Sequence, residues 1–486
     1  MQSTLGESET GASEGDNTGV PYVTYRKRWA VLCAFALLNC SNALLWVTFS
    51  TISDVAQTYF RCTATKVNTL ATIFLVLYPL GTILEVIFFK AFGLRQTLLL
   101  GGILTTVGAA LRLAIATNKA VVSADVLYGV TLLGQALAAL AQPMFVNFPA
   151  HLSNAWFPVH ERDLSTTVGT LFSPIGNAVG QFLPVLLVSV DAAQNVSGMA
   201  SLMLVEFLVC SASLALGFFI VADSPPTPPS KSSEALESRT TTPRLFKDDG
   251  DIYSPLAQGQ DSSYLSDLLF DCATLLRDKN YVVLWFAFSL ALGMFNSLLT
   301  LVNQVVEPWG YSNDEASYCG MALIVAGLIG AGICSVIMER TKAYMTIVRW
   351  GFFACLISAV FLVSMLRRAN LVGLLIGWAL LGFWLLPMLP ASFELVAEFT
   401  YPITSDISVG LLLVGGNVVG IPLVYALESL IRTMAWDATP GSSIFVVATI
   451  FVASSLLFLM CPTYKRQLAE AGDSAACLNR PLMGEK

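Results

Sequence analysis

The sequence has 486 residues, of which 55% are hydrophobic and 12% are charged, with a formal net charge of −7. So few polar residues cannot cover a water-facing surface, which excludes a soluble globular protein. The negative balance also argues against a nucleic-acid partner, because phosphate backbones select basic surfaces.

Twelve apolar runs are long enough to cross about 30 Å of hydrocarbon as helices. They form two sets of six, with one long polar segment between the sets. The first set covers residues 29–57, 67–89, 94–116, 120–148, 164–189 and 198–221. The second set covers residues 280–306, 316–338, 345–366, 371–396, 404–431 and 442–461. We therefore expect an all-α membrane protein with twelve transmembrane helices in two six-helix halves.

The composition divides the chain into five parts. They are a disordered cytoplasmic tail (1–28), a first half (29–221), a linker (222–279), a second half (280–461) and a second cytoplasmic tail (462–486). The linker is rich in Pro, Ser, Thr and Asp, as disordered linkers are. Its end, residues 264–277, has apolar residues on one helical face and predicts an amphipathic helix on the membrane surface. The alternative is a short extension of the seventh transmembrane helix.

Short patterns of the first half recur in the second in the same order and at an almost constant spacing. Gly134, Pro143 and Phe157-Pro158 correspond to Gly377, Pro387 and Tyr401-Pro402. The pattern Gly-Asn-x-Val-Gly occurs at 176–180 and again at 416–420. Two similar halves in an apolar chain predict a transporter built from parallel repeats, with its substrate site between them near the bilayer midplane.

Lys and Arg concentrate in segments that would face the cytoplasm if both termini were cytoplasmic, as the positive-inside rule requires. Asn195 then begins a glycosylation sequon on an outside loop. Cys62 and Cys319 lie at outside ends, as free thiols or as a disulfide. We expect a monomer in the plasma membrane, with the endolysosomal membrane as the alternative.

Polar and aromatic residues form stripes along the first helix of each three-helix group. Polar side chains are costly in lipid, so such stripes face protein or a watery cavity. Interhelical hydrogen bonding is the alternative role of each residue taken singly. The predicted substrate-binding residues are Asn42, Trp46, Gln135, Gln142, Asn296, Asn303, Gln304, Trp384 and Asn417.

Charged residues predict a gate and the mode of coupling. Glu394 and Glu398 share one face at the cytoplasmic end of the tenth helix, where Arg95 and Arg162 are candidate partners. No acid or histidine occupies the midplane of the cavity helices, which favours passive uniport over proton coupling. Glu206 in the sixth helix is the exception that leaves proton coupling open.

No nucleophile–base pair and no metal-ligand spacing is evident, so we expect no enzyme activity, no metal and no cofactor. A neutral pocket of aromatic and amide groups suits an organic cation, held by cation–π contact, or a neutral amphipathic molecule.

Several segments resemble the feline leukaemia virus subgroup C receptor-related proteins, solute carrier family 49 of the major facilitator superfamily. The segments are Tyr25–Trp29, Asn42–Trp46, Gly93–Arg95, Trp156–Pro158, Asn303-Gln304 and, most specifically, Phe393–Pro402. The resemblance covers nearly the whole membrane part of residues 25–461, but not the tails or the central linker. Asn39–Ala43 and Ser173-Pro174 are most similar to the third branch of the family.

The resemblance implies a major facilitator fold and transport of choline and ethanolamine, of haem, or of pyridoxine. Trp46 matches the tryptophan of the aromatic cage that holds choline in some members. Asn296 stands where those members have a tyrosine, and Pro174 and Asn417 where they have glutamines. Four functions remain open: a uniporter of a small organic cation or amine alcohol, a haem or porphyrin exporter, a proton-coupled vitamin transporter, and a non-transporting receptor or scaffold.

Overall fold

The structure, a computed structural model, describes residues 23–119, 121–158, 161–190, 196–229, 262–400, 403, 405–432 and 441–465. Most of both predicted tails, the middle of the linker, His160 and Asn195 lie outside these ranges. The chain divides into two compact units, Met1–Asp261 and Ser262–Lys486.

In its described residues, the first unit consists of helices, their connections and a two-stranded hairpin in which β1 (Ser189–Val190) pairs with β2 (Val196–Ser197). Its helices are α1 (Lys27–Trp46), α2 (Ser53–Phe60), α3 (Ala64–Thr117), α4 (Ala124–Ala141), α5 (Pro143–Val146), α6 (Pro149–Trp156), α7 (Arg162–Leu187) and α8 (Met199–Ile220).

The second unit begins with α9 (Ser262–Leu275), which covers most of the predicted amphipathic segment. In α9, Leu269 and Phe270 are exposed and Leu275 is buried. The helices that follow are α10 (Lys279–Thr300), α11 (Val302–Val306), α12 (Asn313–Thr341), α13 (Tyr344–Met365), α14 (Leu371–Leu385), α15 (Met388–Phe399), α16 (Ser405–Arg432) and α17 (Gly441–Phe458).

Eleven helical segments within the described ranges are long and apolar enough to cross a membrane. One of them, α3, holds two of the twelve predicted crossings. Gly93 separates the two with φ 80° and ψ −178°, a backbone conformation that a residue with a Cβ rarely adopts. Asp223 accepts the Arg95 backbone N–H at 2.8 Å and so satisfies a donor that the turn leaves free. The predicted all-α membrane fold is confirmed.

The first helix of each three-helix group is interrupted within its span. The first is broken over residues 47–52, between α1 and α2, and the seventh at Leu301, where φ is −106° and ψ is 15°. The fourth and tenth keep helical dihedral angles at Gln142 and at Leu386-Pro387, but their hydrogen-bond ladders are interrupted there. Proline lacks the N–H that continues the helical ladder, so Pro143 and Pro387 account for these two interruptions. The repeated Pro-Met pattern therefore marks a lost ladder hydrogen bond in both halves.

The glycines of the repeated Gly-Asn-x-Val-Gly pattern allow close helix packing. A Cβ at Gly176 would collide with the carbonyl oxygen of Cys40, and one at Gly180 with that of Leu44, both on α1. In the second unit, a Cβ at Gly416 would meet the Leu292 side chain of α10. The pattern thus brings α7 against α1 and α16 against α10, the role that small residues have between membrane helices.

Two of the segments that carry the family resemblance contact one another in the first unit. The Arg28 guanidinium binds both carboxylate oxygens of Glu161, with Nε–Oε2 at 2.9 Å and Nη2–Oε1 at 3.1 Å. The Trp29 ring lies edge-on to Phe157, with ring centroids 5.1 Å apart. These contacts fasten the start of α1 to the chain that joins α6 to α7.

Candidate functional site

Trp46 is the last residue of α1 and lies at its interruption. Its indole is 5% exposed, and Nε1 donates to the Ala71 carbonyl oxygen at 3.1 Å. The Phe74 ring centroid is 6.5 Å from that of Trp46, with the planes tilted by 37°. This hydrogen bond fixes the orientation of the indole. Because α1 ends at Trp46, the ring lies where the helical hydrogen bonds of α1 stop.

The amides of Asn42 and Gln135 make contacts between helices. Asn42 Nδ2 donates to Thr105 Oγ1 at 3.0 Å and to the Ala138 carbonyl oxygen at 2.8 Å, so it joins α1 to α3 and α4. Gln135 Nε2 donates to the Leu45 carbonyl oxygen at 3.1 Å. Both side chains are buried, and these bonds give them a structural task next to Trp46.

Gln142 lies at the junction of α4 and α5 and is 8% exposed. Its Oε1 has no hydrogen-bond partner among the residues that the structure describes. In the interruption of the first helix, the buried Ser50 hydroxyl also has no hydrogen-bond partner among the described residues. A buried acceptor without a partner costs about 1–3 kcal/mol, so such atoms indicate a place for water or for a ligand.

The second unit repeats this arrangement at Leu301. Asn303 donates through Nδ2 to Asn313 Oδ1, whereas its own Oδ1 finds no partner within the described part of the unit. The Thr300 hydroxyl is also unpartnered there. Asn296 and Gln304 are buried nearby along the same chain segment, 4% and 8% exposed.

The predicted residues of α14 and α16 are less enclosed or are already engaged. Trp384, in the last turn of α14, is 38% exposed and packs edge-on to Phe383. Trp378 of the same helix is fully buried. Asn417 donates through Nδ2 to the Leu413 carbonyl oxygen of its own helix at 2.8 Å.

The basic residues of the predicted gate have partners within the first unit. Arg95 Nη2 donates to the Phe218 carbonyl oxygen at 3.2 Å, and Arg162 Nε donates to the Phe157 carbonyl oxygen at 3.1 Å. Burial lowers the pKa of the Arg162 guanidinium from its ordinary value. In α15, Glu398 is 2% exposed, whereas Glu394 is only partly buried.

Sequence reasoning missed two buried polar clusters. Arg112 of α3 and Glu206 of α8 form an ion pair, Nη2–Oε2 2.9 Å, with side chains 0% and 1% exposed. Glu206 is visible in the sequence as an acid within an apolar run, but its partner is not. A second cluster joins α3 to the chain after α5, because Asn147 donates to Glu85 Oε2 at 2.7 Å and accepts from the Tyr78 hydroxyl at 2.9 Å. An Arg, a Glu and a Tyr within apolar runs were the available signal.

The interruptions share one chemical character. The unpartnered groups beside them are hydroxyls of Ser50 and Thr300 and amide oxygens of Gln142 and Asn303. Residues 47–52, Gln142, Leu301 and Leu386-Pro387 include no acidic or basic side chain, although the Arg112–Glu206 pair contacts Thr48 and Phe49 of the first interruption. Within the described part of the first unit, the Trp46 ring and the unpartnered oxygens of Ser50 and Gln142 are groups that suit a small molecule with apolar surface or cationic charge and with hydrogen-bond donors.

Comparison with known proteins identifies the class. The model of the Major Facilitator Superfamily matches residues 31–423. The chain belongs to this superfamily of transporters and is a multi-pass membrane protein that carries small molecules. The family and the fold are those of transporters rather than enzymes.

Among curated proteins, the chain is 27% identical over 478 residues to "Solute carrier family 49 member A3" of Xenopus tropicalis, covering 94% of this chain and 92% of the relative. It is 26% identical over 453 residues to human "Choline/ethanolamine transporter FLVCR2", covering 91% of this chain and 79% of the relative. The resemblance to solute carrier family 49 is confirmed.

Solved structures share the fold. The outward conformation of the transporter FucP superposes with a TM-score of 0.59 at 15% identity, over 89% of this chain and 100% of that one. The partially occluded inward-open xylose transporter XylE of E. coli superposes with a TM-score of 0.61 at 12% identity, over 90% of this chain and 98% of that one.

Proposed function

We propose that the protein is a facilitative uniporter of a small organic cation or amine alcohol, choline or ethanolamine in type. The observation that carries the proposal lies in the first unit, where Trp46 ends α1 and the interrupted segment that follows it contains the buried hydroxyl of Ser50, unpartnered among the described residues. An ammonium group is attracted to the face of an aromatic ring, and a hydroxyl or primary ammonium donates to amide oxygens.

The relatives support this choice of substrate class, since the printed name of FLVCR2 is that of a choline/ethanolamine transporter. The departures from the choline cage favour a related amine alcohol over choline itself. An amide at Asn296 in place of an aromatic ring offers hydrogen bonds rather than a π face, which suits a primary ammonium better than a quaternary one.

Haem or porphyrin export is less well supported. Haem iron normally takes His, Cys, Tyr or Met as axial ligand. His151 packs instead between aromatic rings, with centroids 4.8 Å from Phe89 and 6.0 Å from Phe148. Proton-coupled transport of a vitamin is also less well supported, because Arg112 already pairs with Glu206.

We further propose that Asn42, Gln135 and Asn417 shape the site through their helix contacts, while Trp46, Gln142, Asn296, Asn303, Gln304 and Trp384 contact the substrate. Both termini are proposed to be cytoplasmic and the protein to act in the plasma membrane, as the distribution of Lys and Arg favours for orientation.

The test is uptake of radiolabelled choline, ethanolamine and pyridoxine, with haem efflux measured in parallel, in cells that express the protein at the surface. We expect saturable uptake of ethanolamine or choline above that of vector-only cells. Uptake of pyridoxine alone, or haem efflux without amine uptake, would replace the proposed substrate class. Surface expression without transport of any of the four would favour the receptor or scaffold function.

A further inference from the structure

Leu45 and Thr48, on either side of Trp46, belong to one buried chain of polar contacts. Before Trp46, the Leu45 carbonyl oxygen accepts from Gln135 Nε2 at 3.1 Å. After it, the Thr48 hydroxyl donates to Glu206 Oε1 at 2.6 Å. The two ends of this chain are therefore only a few residues apart along the backbone.

Arg112 joins the two ends. Its Nη1 donates to Gln135 Oε1 at 3.3 Å, and its Nη2 lies 2.9 Å from Glu206 Oε2. The guanidinium carbon also lies 5.2 Å from the ring centroid of Phe49, in the interrupted segment. The contacts thus form one chain on both sides of the end of α1, from Leu45 through Gln135, Arg112 and Glu206 to Thr48.

The arrangement needs a guanidinium. Its planar fork places Nη1 to donate to Gln135 while Nη2 lies beside the Glu206 carboxylate, whereas a lysine ammonium is a compact charge on a flexible stem. A buried ion pair is weak evidence for stability, because desolvation offsets the attraction, and fixing one conformation is the better-attested use of such groups. Here the Arg112–Glu206 pair holds the conformation of the backbone at the end of α1, where Trp46 lies.

We propose that Arg112 is a positioning residue for the substrate site, which acts through Gln135 and Glu206 to fix the backbone on both sides of Trp46. The proposal rests on the proposed function for its effect on transport. The predicted effect of Arg112 on the backbone does not depend on the proposed function.

The first measurement is hydrogen–deuterium exchange of residues 45–52 in the purified full-length protein, which requires no knowledge of the substrate. The variant Arg112→Leu with Glu206→Leu removes both charges and leaves neither buried alone. We expect exchange in this segment to rise about tenfold, the factor that corresponds to loss of one charge-assisted hydrogen bond. The matched control is Glu428→Leu with Arg432→Leu, which removes an ion pair of α16; exchange at 45–52 should then be unchanged.

The second measurement is the kinetics of amine uptake. The double variant at Arg112 and Glu206 should raise KM about tenfold with a maximal rate near that of the wild type, because a displaced Trp46 weakens binding. The KM of Arg112→Lys should lie between that of the wild type and that of the double variant. Unchanged exchange at 45–52, or an unchanged KM in a double variant with wild-type thermal stability, overturns the proposal. If the wild type carries no amine, the proposed function fails and the exchange measurement alone decides on Arg112.

Discussion

Trp46 makes a structural contact and, in the proposed site, also binds the substrate. Its Nε1 is engaged by the Ala71 carbonyl oxygen, so only the ring faces remain for a substrate. A ring held at its edge keeps its face in one orientation without a further loss of side-chain entropy on binding.

Replacing Trp46 with Ala should therefore weaken amine transport well over tenfold. Loss of a cation–π contact in a desolvated site costs about 2 kcal/mol or more. Trp46→Phe keeps a ring but not the bond to Ala71, and should retain part of the activity. The measurement is initial uptake at equal surface expression, with Trp350→Ala as control, since Trp350 is 60% exposed on α13. Unchanged uptake in Trp46→Ala would remove Trp46 from the site.

The sequence singles out Trp46 and the polar stripes as candidates because their spacing along one helix is visible in one dimension. It did not distinguish Asn42, whose amide bonds to α3 and α4, from Gln142, whose Oε1 has no described partner. Nor did it pair Arg112 with Glu206. Those distinctions depend on how side chains of distant segments meet, and no periodicity encodes that.

At the scale of the helices, the repeated patterns have concrete structural meanings. Pro143 and Pro387 mark interruptions of the helical hydrogen bonds. Gly176 and Gly180 pack directly against the backbone of α1. The repeat predicted two similar halves correctly. It did not predict that the first and seventh helices are also broken, because no proline marks those two places.

Gly176→Ala and Gly180→Ala should each lower thermal stability, because the added methyl meets backbone carbonyls that cannot yield easily. Overpacking of this kind costs about 1–3 kcal/mol. Gly129→Ala in α4 is the control, since a Cβ there meets nothing within 4 Å. That change should leave stability equal or raise it by up to about 1 kcal/mol, because alanine favours helix. The readout is thermal unfolding in detergent, and equal effects at all three sites would contradict the packing role.

For the whole molecule, we predict that transport follows the substrate's own gradient. Movement of one charge is driven by about 2.3 kcal/mol per 100 mV, so uptake of a cation should fall when high potassium depolarises the membrane. It should persist in proteoliposomes with equal pH on both sides. Strong stimulation by a pH difference at zero potential, abolished in Glu206→Gln, would establish proton coupling instead.

A second prediction at this scale concerns the gate. Glu394 and Glu398 are expected to meet basic residues of the other half when the cytoplasmic side is closed, with Arg95 and Arg162 as candidates. Glu394→Gln with Glu398→Gln should bias the protein towards the inward-open state, because neutral amides bind guanidinium less strongly. Cytoplasmic accessibility of engineered cysteines measures the bias, and Glu339→Gln serves as the control. An accessibility equal to that of the wild type would count against the gate.

The interruptions also bear on how relatives of this protein diverge. Where a helical ladder stops, the last main-chain carbonyl groups lack their usual N–H partners and take others, as Leu44 and Leu45 accept from Thr48 and Gln135 at the end of α1. These dipoles belong to the backbone, so truncating side chains one at a time leaves them in place. Two family members with identical side chains around Trp46 can therefore differ in selectivity through a break displaced by one residue. A comparison of substrates across the family should align the positions at which helices stop, as well as the residues that line them.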